Sequence, residues 1–229
     1  MPPRFHATPP EAVAEVVRDK VFVGEYTFRI DHPADSDRLF NHPWVRSAYL
    51  SDEYAPYWAQ LWPSARMLAK VVVREDWSAF PEPVRALEVG CGLGLAGIAA
   101  LARGLHVTFS DIDETALTFA ARNAQLNGFS TFQTTLLDFR DPPDDIKYPV
   151  ILGSDLMYEE RMVGALIGLL GAVLAPGGVC LITDPDRAPS RTFRWKLGEA
   201  GYDVAPKLVR AGEPGGERTK GTLYRIRAL

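Results

Sequence analysis

The fold of this chain is decided by the stretch Leu87-Glu88-Val89-Gly90-Cys91-Gly92-Leu93-Gly94-Leu95-Ala96-Gly97. The apolar run over Val84–Val89 predicts a short buried strand, and the residues from Leu95 onward are typical of a helix. Parallel α/β sheets place a ligand site where a strand, a glycine-rich turn and a helix follow one another. Glycines let the backbone turn tightly, and the start of the helix offers free N–H groups. We therefore expect a small-molecule site at this turn.

The composition is that of a globular protein with one domain, or one domain plus a small cap. The chain has 229 residues, of which 47% are hydrophobic and 24% are charged. Its net charge of −4 argues against binding to a nucleic acid backbone through overall charge. The sequence lacks any run of about 18 apolar residues, so we expect no membrane partner.

Cysteine and histidine usage favours a reducing compartment and no metal site. Cys91 lies in the glycine turn and Cys180 in a predicted central strand, so a disulfide framework is not expected. The histidines are scattered without a partner at metal-ligand spacing. The first residues do not carry the apolar stretch of a signal peptide. Together these features predict a cytoplasmic protein.

Residues 1–83 are predicted to form an N-terminal α/β cap that shapes the substrate side. The spacing of valines predicts a short helix over Glu11–Lys20. The segment Val21–Ile30 predicts two short strands joined at a Gly-Glu turn. The polar segment Asp31–Asp37 is typical of a turn, and it should lead into the second half of the cap.

A concentrated aromatic region follows, punctuated by prolines. Its rings allow two interpretations: they pack the cap onto the core, or some of them wall a ligand pocket. We single out Trp62 for the pocket wall. Ser64 is a good N-cap for the amphipathic helix that precedes the core. The aromatic residues of this region are Trp44, Tyr49, Tyr54, Tyr57, Trp58 and Trp62.

Residues 84–229 alternate between strand and helix patterns and are predicted to form the core. This alternation predicts a doubly wound, mostly parallel, Rossmann-like α/β sheet of seven strands. The last two strands have no helix between them, so we expect them to pair as an antiparallel hairpin. Asp113 and Ser190 are predicted to cap helices. The predicted strands are Val84–Val89, Leu105–Phe109, Phe129–Leu137, Tyr148–Gly153, Val179–Thr183, Tyr202–Val209 and Thr222–Arg227.

Four successive predicted strands end in a carboxylate, namely Glu88, Asp111, Asp138 and Asp155. The carboxyl ends of parallel strands meet at one edge of a sheet, so we expect these side chains to converge on one rim. A single carboxylate in this position often only caps the next helix. Four in succession favour a ligand site instead.

Two nucleotide ligands are compatible with this rim. The spacing Gly92-x-Gly94-x-x-Gly97 matches a dinucleotide fingerprint, with Asp111 near the distance of a ribose-binding acid. A pyrophosphate would face Glu88 at the mouth of the turn, whereas S-adenosylmethionine brings a cationic sulfonium. For that ligand, the turn backbone would hold the amino-acid end and Asp111 the ribose hydroxyls. Asp138 would accept from the adenine amino group, with Phe139 beside the ring.

As a set, these motifs resemble the seven-strand, class I S-adenosylmethionine-dependent methyltransferases. The resemblance covers the chain from Val84 to the C-terminus. It implies that S-adenosylmethionine is the cofactor and S-adenosylhomocysteine the product. The motifs that carry it are Glu88-x-Gly90-x-Gly92-x-Gly94, Asp111, Asp138 and the turn Leu174-Ala175-Pro176-Gly177-Gly178.

A narrower resemblance is to the branch that holds protein-lysine methyltransferases and nicotinamide N-methyltransferase-like proteins. It rests on Leu61-Trp62-Pro63-Ser64-Ala65, Leu137-Asp138-Phe139 and Ser154-Asp155-Leu156-Met157-Tyr158. It implies that Trp62 lies in the cofactor region and that Asp155 and Tyr158 border the methyl acceptor, with Asp155 also next to the cofactor. Phe139 stands where this branch commonly has tryptophan, and it keeps a ring there.

The leading hypothesis is an N-methyltransferase that acts by in-line displacement on a protein lysine, slightly favoured over a small amine of the nicotinamide kind. Asp155 would orient the amine or hold a water that removes its proton, and Tyr158 would line the channel. The segment after the fourth strand lacks the Asn/Asp-Pro-Pro-aromatic motif typical of enzymes that methylate nucleic acid bases. Two other classes stay open: an NAD-dependent oxidoreductase, and a scaffold that binds S-adenosylmethionine without catalysis.

Overall fold

The computed structural model describes residues 5–13, 15–212 and 218–228. The N-terminal part holds a two-stranded antiparallel sheet, formed by β1 (Val16–Val23) and β2 (Tyr26–Pro33). Three helices follow, α1 (Ser36–Phe40), α2 (Pro43–Asp52) and α3 (Pro63–Val72). Single turns of 3₁₀ helix lie at Pro10–Val13 and Tyr57–Ala59.

The second sheet has seven strands and confirms the predicted fold class. The strand order is β5-β4-β3-β6-β7-β9-β8, with β3 to β7 parallel and the last two antiparallel. The strand order reverses between β3 and β6, which is where open α/β sheets bind ligands. Its strands are β3 (Arg85–Val89), β4 (His106–Asp111), β5 (Gln133–Leu136), β6 (Tyr148–Ser154), β7 (Leu174–Asp184), β8 (Tyr202–Ala211) and β9 (Thr219–Ala228). Its helices are α4 (Leu95–Ala102), α5 (Glu114–Leu126), α6 (Glu160–Val173) and α7 (Ala188–Glu199).

Hydrophobic side chains cover both faces of the central strands, which explains why β3, β6 and β7 are nearly continuous apolar runs. On one face, Val150 and Leu181 belong to a cluster that includes side chains of α3, α4 and α5. On the other face, Ile151 and Ile182 pack with side chains of α6 and α7. Both faces are therefore shielded from water, and the strand ends remain as the place for polar chemistry.

The N-terminal hairpin is fastened to helix α5 by side-chain amides. The buried Asn123 accepts from the N–H of Asp31 at 2.7 Å and donates to the Asp31 carbonyl at 3.0 Å. Its amide also donates to the carbonyl of Leu93 in the glycine turn at 3.0 Å. Hairpin side chains such as Val21 and Ile30 belong to the same hydrophobic cluster as the core. The predicted division of the chain into a cap and a core at residue 83 stays a prediction.

The structure corrects the predicted start of the chain. The helix predicted over Glu11–Lys20 is wrong, since Val16–Val23 forms strand β1 paired along its whole length with β2. The segment Asp31–Asp37 is not simply a turn, because β2 continues to Pro33 and α1 starts at Ser36. Pairing with the neighbouring strand β2 overrides the local valine spacing, which fitted a helix.

Several other strands and helices begin or end at residues different from those predicted. The third core strand is limited to Gln133–Leu136, and Pro176-Gly177-Gly178 lies within the long strand β7. Ser64 and Ser190 are not caps: α3 has its N-cap at Trp62 and α7 at Arg187. Each helix has a proline in its first turn, Pro63 at N1 of α3 and Pro189 at N2 of α7, where no intrahelical N–H bond is lost. Asp113 does cap α5, accepting from Thr115 N at 2.7 Å.

Within the residues that the structure describes, we searched for membrane-spanning helices, metal-ligand groups and disulfide bonds. None of their helices has the length and apolar character needed to cross a bilayer. They contain no group of three or more His, Cys, Asp or Glu side chains arranged to hold a metal ion. Cys91 and Cys180 are both buried free thiols.

Candidate active site

A cavity of about 340 Å³ opens at the carboxyl ends of β3, β4 and β6, beside the point where the strand order reverses. Its size falls in the range of small-molecule sites, about 300–1,000 Å³. One half is formed by the glycine turn and the end of β4. The other half is formed by the segment after β6 and the aromatic residues before α3.

The glycine turn requires glycine for its backbone shape. Gly90, Gly92 and Gly94 have φ values of 58°, 50° and 81°, in the left-handed region that other residues rarely adopt. At Gly90 a Cβ would also lie 2.6 Å from Leu156 Cδ2. All three glycines line the cavity and expose backbone there, next to the side chains of Cys91 and Leu93.

Asp111 is the buried carboxylate of the first half. Its Oδ2 accepts from Gly92 N at 2.9 Å and its Oδ1 from Asp113 N at 3.1 Å. Burial raises the pKa of Asp111 to about 6, while these two backbone donors act in the opposite direction. The side chain is therefore ionised at neutral pH and fixed in place at the cavity wall.

Glu88 lies in a different place from the one predicted. It is not at the mouth of the turn but behind it, buried, with Oε2 accepting from Gly97 N in α4 at 2.9 Å. It is absent from the lining of the cavity. Burial raises the pKa of Glu88 to about 8. The side chain supports the turn from the protein interior, so the expected position of this carboxylate at the mouth of the turn is corrected, and a cofactor role for it stays a prediction.

Asp138 and Phe139 both line the cavity after β5. The Asp138 carboxylate is already paired with Arg140, whose Nε lies 2.7 Å from Oδ1 and whose Nη2 lies 2.7 Å from Oδ2. A ligand group that bonds to Asp138 therefore shares it with a guanidinium. Arg140 also lines the cavity and was not identified from the sequence.

Asp155 follows β6 directly and lines the second half of the cavity. Its φ of 62° is unusual for a residue other than glycine, and its N–H donates to the Thr183 carbonyl at 2.9 Å. Its Oδ1 forms an ion pair with Nη2 of Arg187. Burial raises the pKa of Asp155, and Arg187 opposes that shift. The left-handed backbone marks a position held by its surroundings, as is common at functional sites.

Aromatic rings form the rim of this second half. The rings of Tyr57 and Tyr158 lie 5.1 Å apart, and the Trp62 indole packs edge-on against Tyr57 at 6.3 Å. Trp62 Nε1 donates to the Tyr57 carbonyl at 2.7 Å. Burial raises the pKa of Tyr158 to about 12, so its hydroxyl is protonated at neutral pH. All three rings line the cavity.

The buried aromatic residues Tyr54 and Trp58 pack the N-terminal segment onto the core, and both also line the cavity. Tyr54 and Trp58 both donate to the carboxylate of Asp113, Trp58 through Nε1 at 3.0 Å. Thr8 joins them with a hydroxyl bond of 2.7 Å to the same carboxylate. Asp113 is therefore both a helix cap and the anchor of the N-terminal segment, a role that its spacing alone did not indicate.

Several lining residues were missed, and for His6, Asp52 and Arg187 the reason is that their contacts are distant in sequence. Nε2 of His6 lies 3.0 Å from Asp52 Oδ2, and the His6 ring stacks on Tyr54 at 3.9 Å. Arg187 precedes α7 and lies outside every motif quoted from the sequence. No sequence signal distinguished these side chains from ordinary surface residues. The lining residues missed from the sequence include His6, Asp52, Arg140, Arg161 and Arg187.

The fold is that of the class I S-adenosylmethionine-dependent methyltransferases. Solved structures of this class superpose on the chain. A ribosomal protein L11 methylase from Lactobacillus delbrueckii subsp. bulgaricus has a TM-score of 0.58 at 23% identity, over 72% of this chain and 79% of its own. A glycopeptide N-methyltransferase complexed with S-adenosylmethionine has a TM-score of 0.57 at 14% identity, over 73% of this chain and 95% of its own.

Residues 52–193, more than half of the chain, match the lysine methyltransferase family, and the chain belongs to that family. S-adenosylmethionine is the cofactor of these enzymes. The dinucleotide interpretation of the glycine spacing is therefore wrong. The match begins at α2 and ends in α7, so it includes both halves of the cavity.

Relatives with assigned names agree with this family. The protein-lysine N-methyltransferase rrg1 of Schizosaccharomyces pombe is 29% identical over 72% of this chain and 58% of its own length. The electron transfer flavoprotein beta subunit lysine methyltransferase of Danio rerio is 30% identical over 58% of this chain and 51% of its own length. The chain thus spans between half and three fifths of these relatives.

Proposed function

We propose that this protein transfers a methyl group from S-adenosylmethionine to the side-chain amine of a lysine in another protein. The observation that carries the proposal is the composition of the second half of the cavity. There the Asp155 carboxylate and the rings of Tyr57 and Tyr158 stand next to a glycine turn and Asp111. Family membership and the lysine methyltransferase relatives support the same acceptor class.

The first half of the cavity fits the cofactor in chemistry. Bare backbone at Gly90, Gly92 and Gly94 suits the amino-acid end, and Asp111 offers a fixed carboxylate to the ribose hydroxyls. Asp138 and Phe139 line the part of the cavity next to Asp111, where an adenine would lie. We assign Trp62 to the boundary between cofactor and acceptor. When bound, S-adenosylmethionine supplies a methyl group on a positively charged sulfur.

The second half must deliver an uncharged amine. A lysine with an unperturbed pKa near 10.4 loses its proton at pH 7 at a cost of about 4–5 kcal/mol. The rings of Tyr57, Trp62 and Tyr158 exclude water from the amine, which lowers its pKa. Asp155 accepts a hydrogen bond from the nitrogen, aims its lone pair and takes up the departing proton, directly or through a water.

The bond changes balance without any further reactant. The amine nitrogen bonds to the methyl carbon while the carbon–sulfur bond breaks, which leaves the neutral thioether S-adenosylhomocysteine. The proton lost by the nitrogen leaves by way of Asp155. The protein contributes chiefly by holding the two reacting atoms in line, which converts an encounter into a step within one complex. Tyr158, which stays protonated, donates its hydroxyl hydrogen toward the acceptor side.

The rim of the cavity favours a protein acceptor over a small amine. Tyr57 and Tyr158 are 39% and 37% exposed, although both line the cavity. A macromolecule can present a lysine through such an aromatic opening, because rings like these commonly contact protein partners. A small amine would instead be enclosed by walls that leave little ring surface in water.

The test uses S-adenosylmethionine with a tritiated methyl group and a total protein extract. Wild-type protein is expected to label individual protein bands, with the label on lysine by mass spectrometry. Asp155→Asn should lose label at least about 100-fold, because the amine loses its proton acceptor. Calorimetry should give that variant a cofactor Kd within about threefold of wild type, since the fold and the first half of the cavity remain.

A matched control is Asp203→Asn, which makes the same change at an exposed position in the edge strand β8. It should label bands as wild type does. Label found only in the small-molecule fraction would replace the protein lysine with a small amine. Tight cofactor binding without label in either fraction would identify a scaffold and overturn the proposal.

A further inference from the structure

Arg187 stands between two carboxylates at the edge of the acceptor half. Its Nη2 forms an ion pair with Asp155 Oδ1, and its Nη1 lies 3.9 Å from Asp184 Oδ2. The Arg187 N–H also donates to Asp184 Oδ1 at 3.0 Å. The Ser190 hydroxyl donates to the same oxygen, so the start of α7 holds the arginine in position.

The burial of the three charged groups differs. The side chain of Asp184 is fully buried, that of Asp155 is 10% exposed and that of Arg187 is 32% exposed. Arg187 therefore carries one positive charge for two carboxylates that have little access to water. Removing that charge would leave both carboxylates without an ionic partner, a costly arrangement at low dielectric.

A carboxylate beside the acceptor amine creates a conflict. A negative charge favours the ammonium form of a lysine, and that form has no lone pair for attack. The same carboxylate is needed to aim the nitrogen and to take the proton. A second charge of opposite sign resolves the conflict, because it cancels the field of the carboxylate and leaves its oxygen atoms in place.

Resting on the function proposed above, we propose that Arg187 is a positioning residue for methyl transfer: its guanidinium neutralises Asp155, so that the acceptor lysine is held in its uncharged form. Arg187 does not touch the reacting atoms in this scheme. It acts through Asp155, by fixing where that carboxylate points and how much negative charge the amine experiences.

The other ionisable groups around this pair do not supply the same charge. Arg161 forms its ion pairs with Glu53 and Glu159. Tyr57 and Tyr158 face the site with hydroxyls whose pKa values are raised, mainly by burial, so both are neutral at pH 7. Behind Asp184 stands Tyr224, which is also neutral because burial raises its pKa. Among the residues that the structure describes, Arg187 is the cation paired with Asp155.

The main experiment measures the pH dependence of methyl transfer in wild type, Arg187→Gln and Arg187→Lys. The acceptor is a synthetic peptide around the lysine that wild type labels in the extract. In Arg187→Gln the midpoint of the kcat profile should move to higher pH by about one unit, because one nearby positive charge is lost. At pH 7 its kcat should fall about tenfold, while KM stays equal or falls as the ammonium form binds more readily.

The lysine variant should restore most of the wild-type profile, because it keeps the charge but not the forked geometry. The matched control Arg191→Gln changes an exposed arginine on the same helix and should leave the profile in place. A loss of rate in Arg187→Gln with an unmoved midpoint, or with a raised KM, would assign Arg187 a structural role only and overturn the proposal.

A second measurement needs no acceptor. Carbon-13 NMR titration of the Asp155 carboxyl should give a higher pKa in Arg187→Gln than in wild type, and an unchanged pKa would overturn the proposal. If wild type labels no protein, the proposed function fails by itself. The titration still decides whether Arg187 controls the charge on Asp155.

Discussion

The two halves of the cavity are built by different kinds of contact. The half that we assign to the cofactor, the cofactor half, consists of the turn Gly90–Gly94 and Asp111, and backbone N–H groups hold its carboxylate. The half that we assign to the acceptor, the acceptor half, consists of Asp155, Tyr158 and the rings before α3, and its carboxylate is held by the Arg187 side chain. One half therefore depends on backbone geometry, the other on side chains from separate elements.

The two halves differ in how freely their residues can be substituted. Backbone contacts around the glycine turn follow from a strand, three left-handed glycines and a helix, so they are tied to the fold itself. Side-chain contacts can be exchanged without disturbing the sheet. The acceptor half is thus the place where substrate choice can change while cofactor binding is retained. Three predictions test this division.

The largest effect is expected for Asp111→Ala. The variant loses the carboxylate that we assign to the ribose hydroxyls, and charge-assisted hydrogen bonds contribute about 1.5–3 kcal/mol each. Calorimetry should show S-adenosylmethionine binding weakened about 100-fold or more. In wild type, affinity should also fall as the pH drops below about 6, where Asp111 gains its proton. Equal affinity in Asp111→Ala and the control Asp203→Ala would remove Asp111 from the cofactor half.

An intermediate effect is expected for Glu88→Gln, on stability and not on binding. Burial raises the pKa of Glu88 from 4.5 to about 8 in the folded protein. Between those values the unfolded chain releases a proton that the folded protein keeps, so wild-type stability falls as the pH rises through this window. The glutamine variant lacks that loss, because it stays neutral and can still accept from Gly97 N.

Calorimetric unfolding of ligand-free protein at pH 5 and pH 8.5 measures this effect. The stability of Glu88→Gln relative to wild type should increase between the two pH values by an amount on the order of a few kcal/mol. Cofactor affinity at pH 6 should match wild type, because Glu88 lies outside the cavity lining. A large loss of cofactor affinity at that pH would return Glu88 to the binding surface.

The smallest effect is expected for Trp62→Phe, at the boundary of the two halves. The change keeps a ring but removes the Nε1 donor to the Tyr57 carbonyl, a hydrogen bond of 2.7 Å. Because this bond joins two protein groups, its loss of about 0.5–1.5 kcal/mol reaches cofactor binding only by releasing the ring, which should weaken binding at most roughly two- to tenfold. Trp195→Phe, at a ring 62% exposed on α7, is the control. If both variants bind alike, Trp62 belongs to the acceptor half alone.

Much of the sheet could be predicted because its signals are local. Apolar runs that alternate with helical stripes located the core strands, and Asp113 lies at the cap position predicted for it. The helix predicted over Glu11–Lys20 failed because valine spacing alone does not distinguish a helix from a strand that pairs with its neighbour. Strand β1 exists because it pairs with β2, and the valines that fitted a helical spacing, Val16 and Val17, are exposed on that strand.

Some of the site residues could likewise be predicted from the sequence, and others could not. Gly90, Gly92, Gly94, Asp111 and Asp155 line the cavity as their positions at strand ends predicted. Glu88 carries the same sequence signal, yet the direction of its side chain sends it behind the turn, because successive residues of a strand point to opposite faces. Arg187 and His6 reach the cavity through contacts with distant segments, which spacing along one chain does not reveal.

By itself, the sequence determined the seven-stranded sheet, the glycine turn and the carboxylates that end successive strands, because hydrophobic periodicity and glycine conformation are properties of neighbouring residues. Only the tertiary structure decided which of those carboxylates face the cavity, and which cation stands beside Asp155. Those outcomes depend on side-chain direction and on burial, and both are fixed only when segments far apart in the chain pack together.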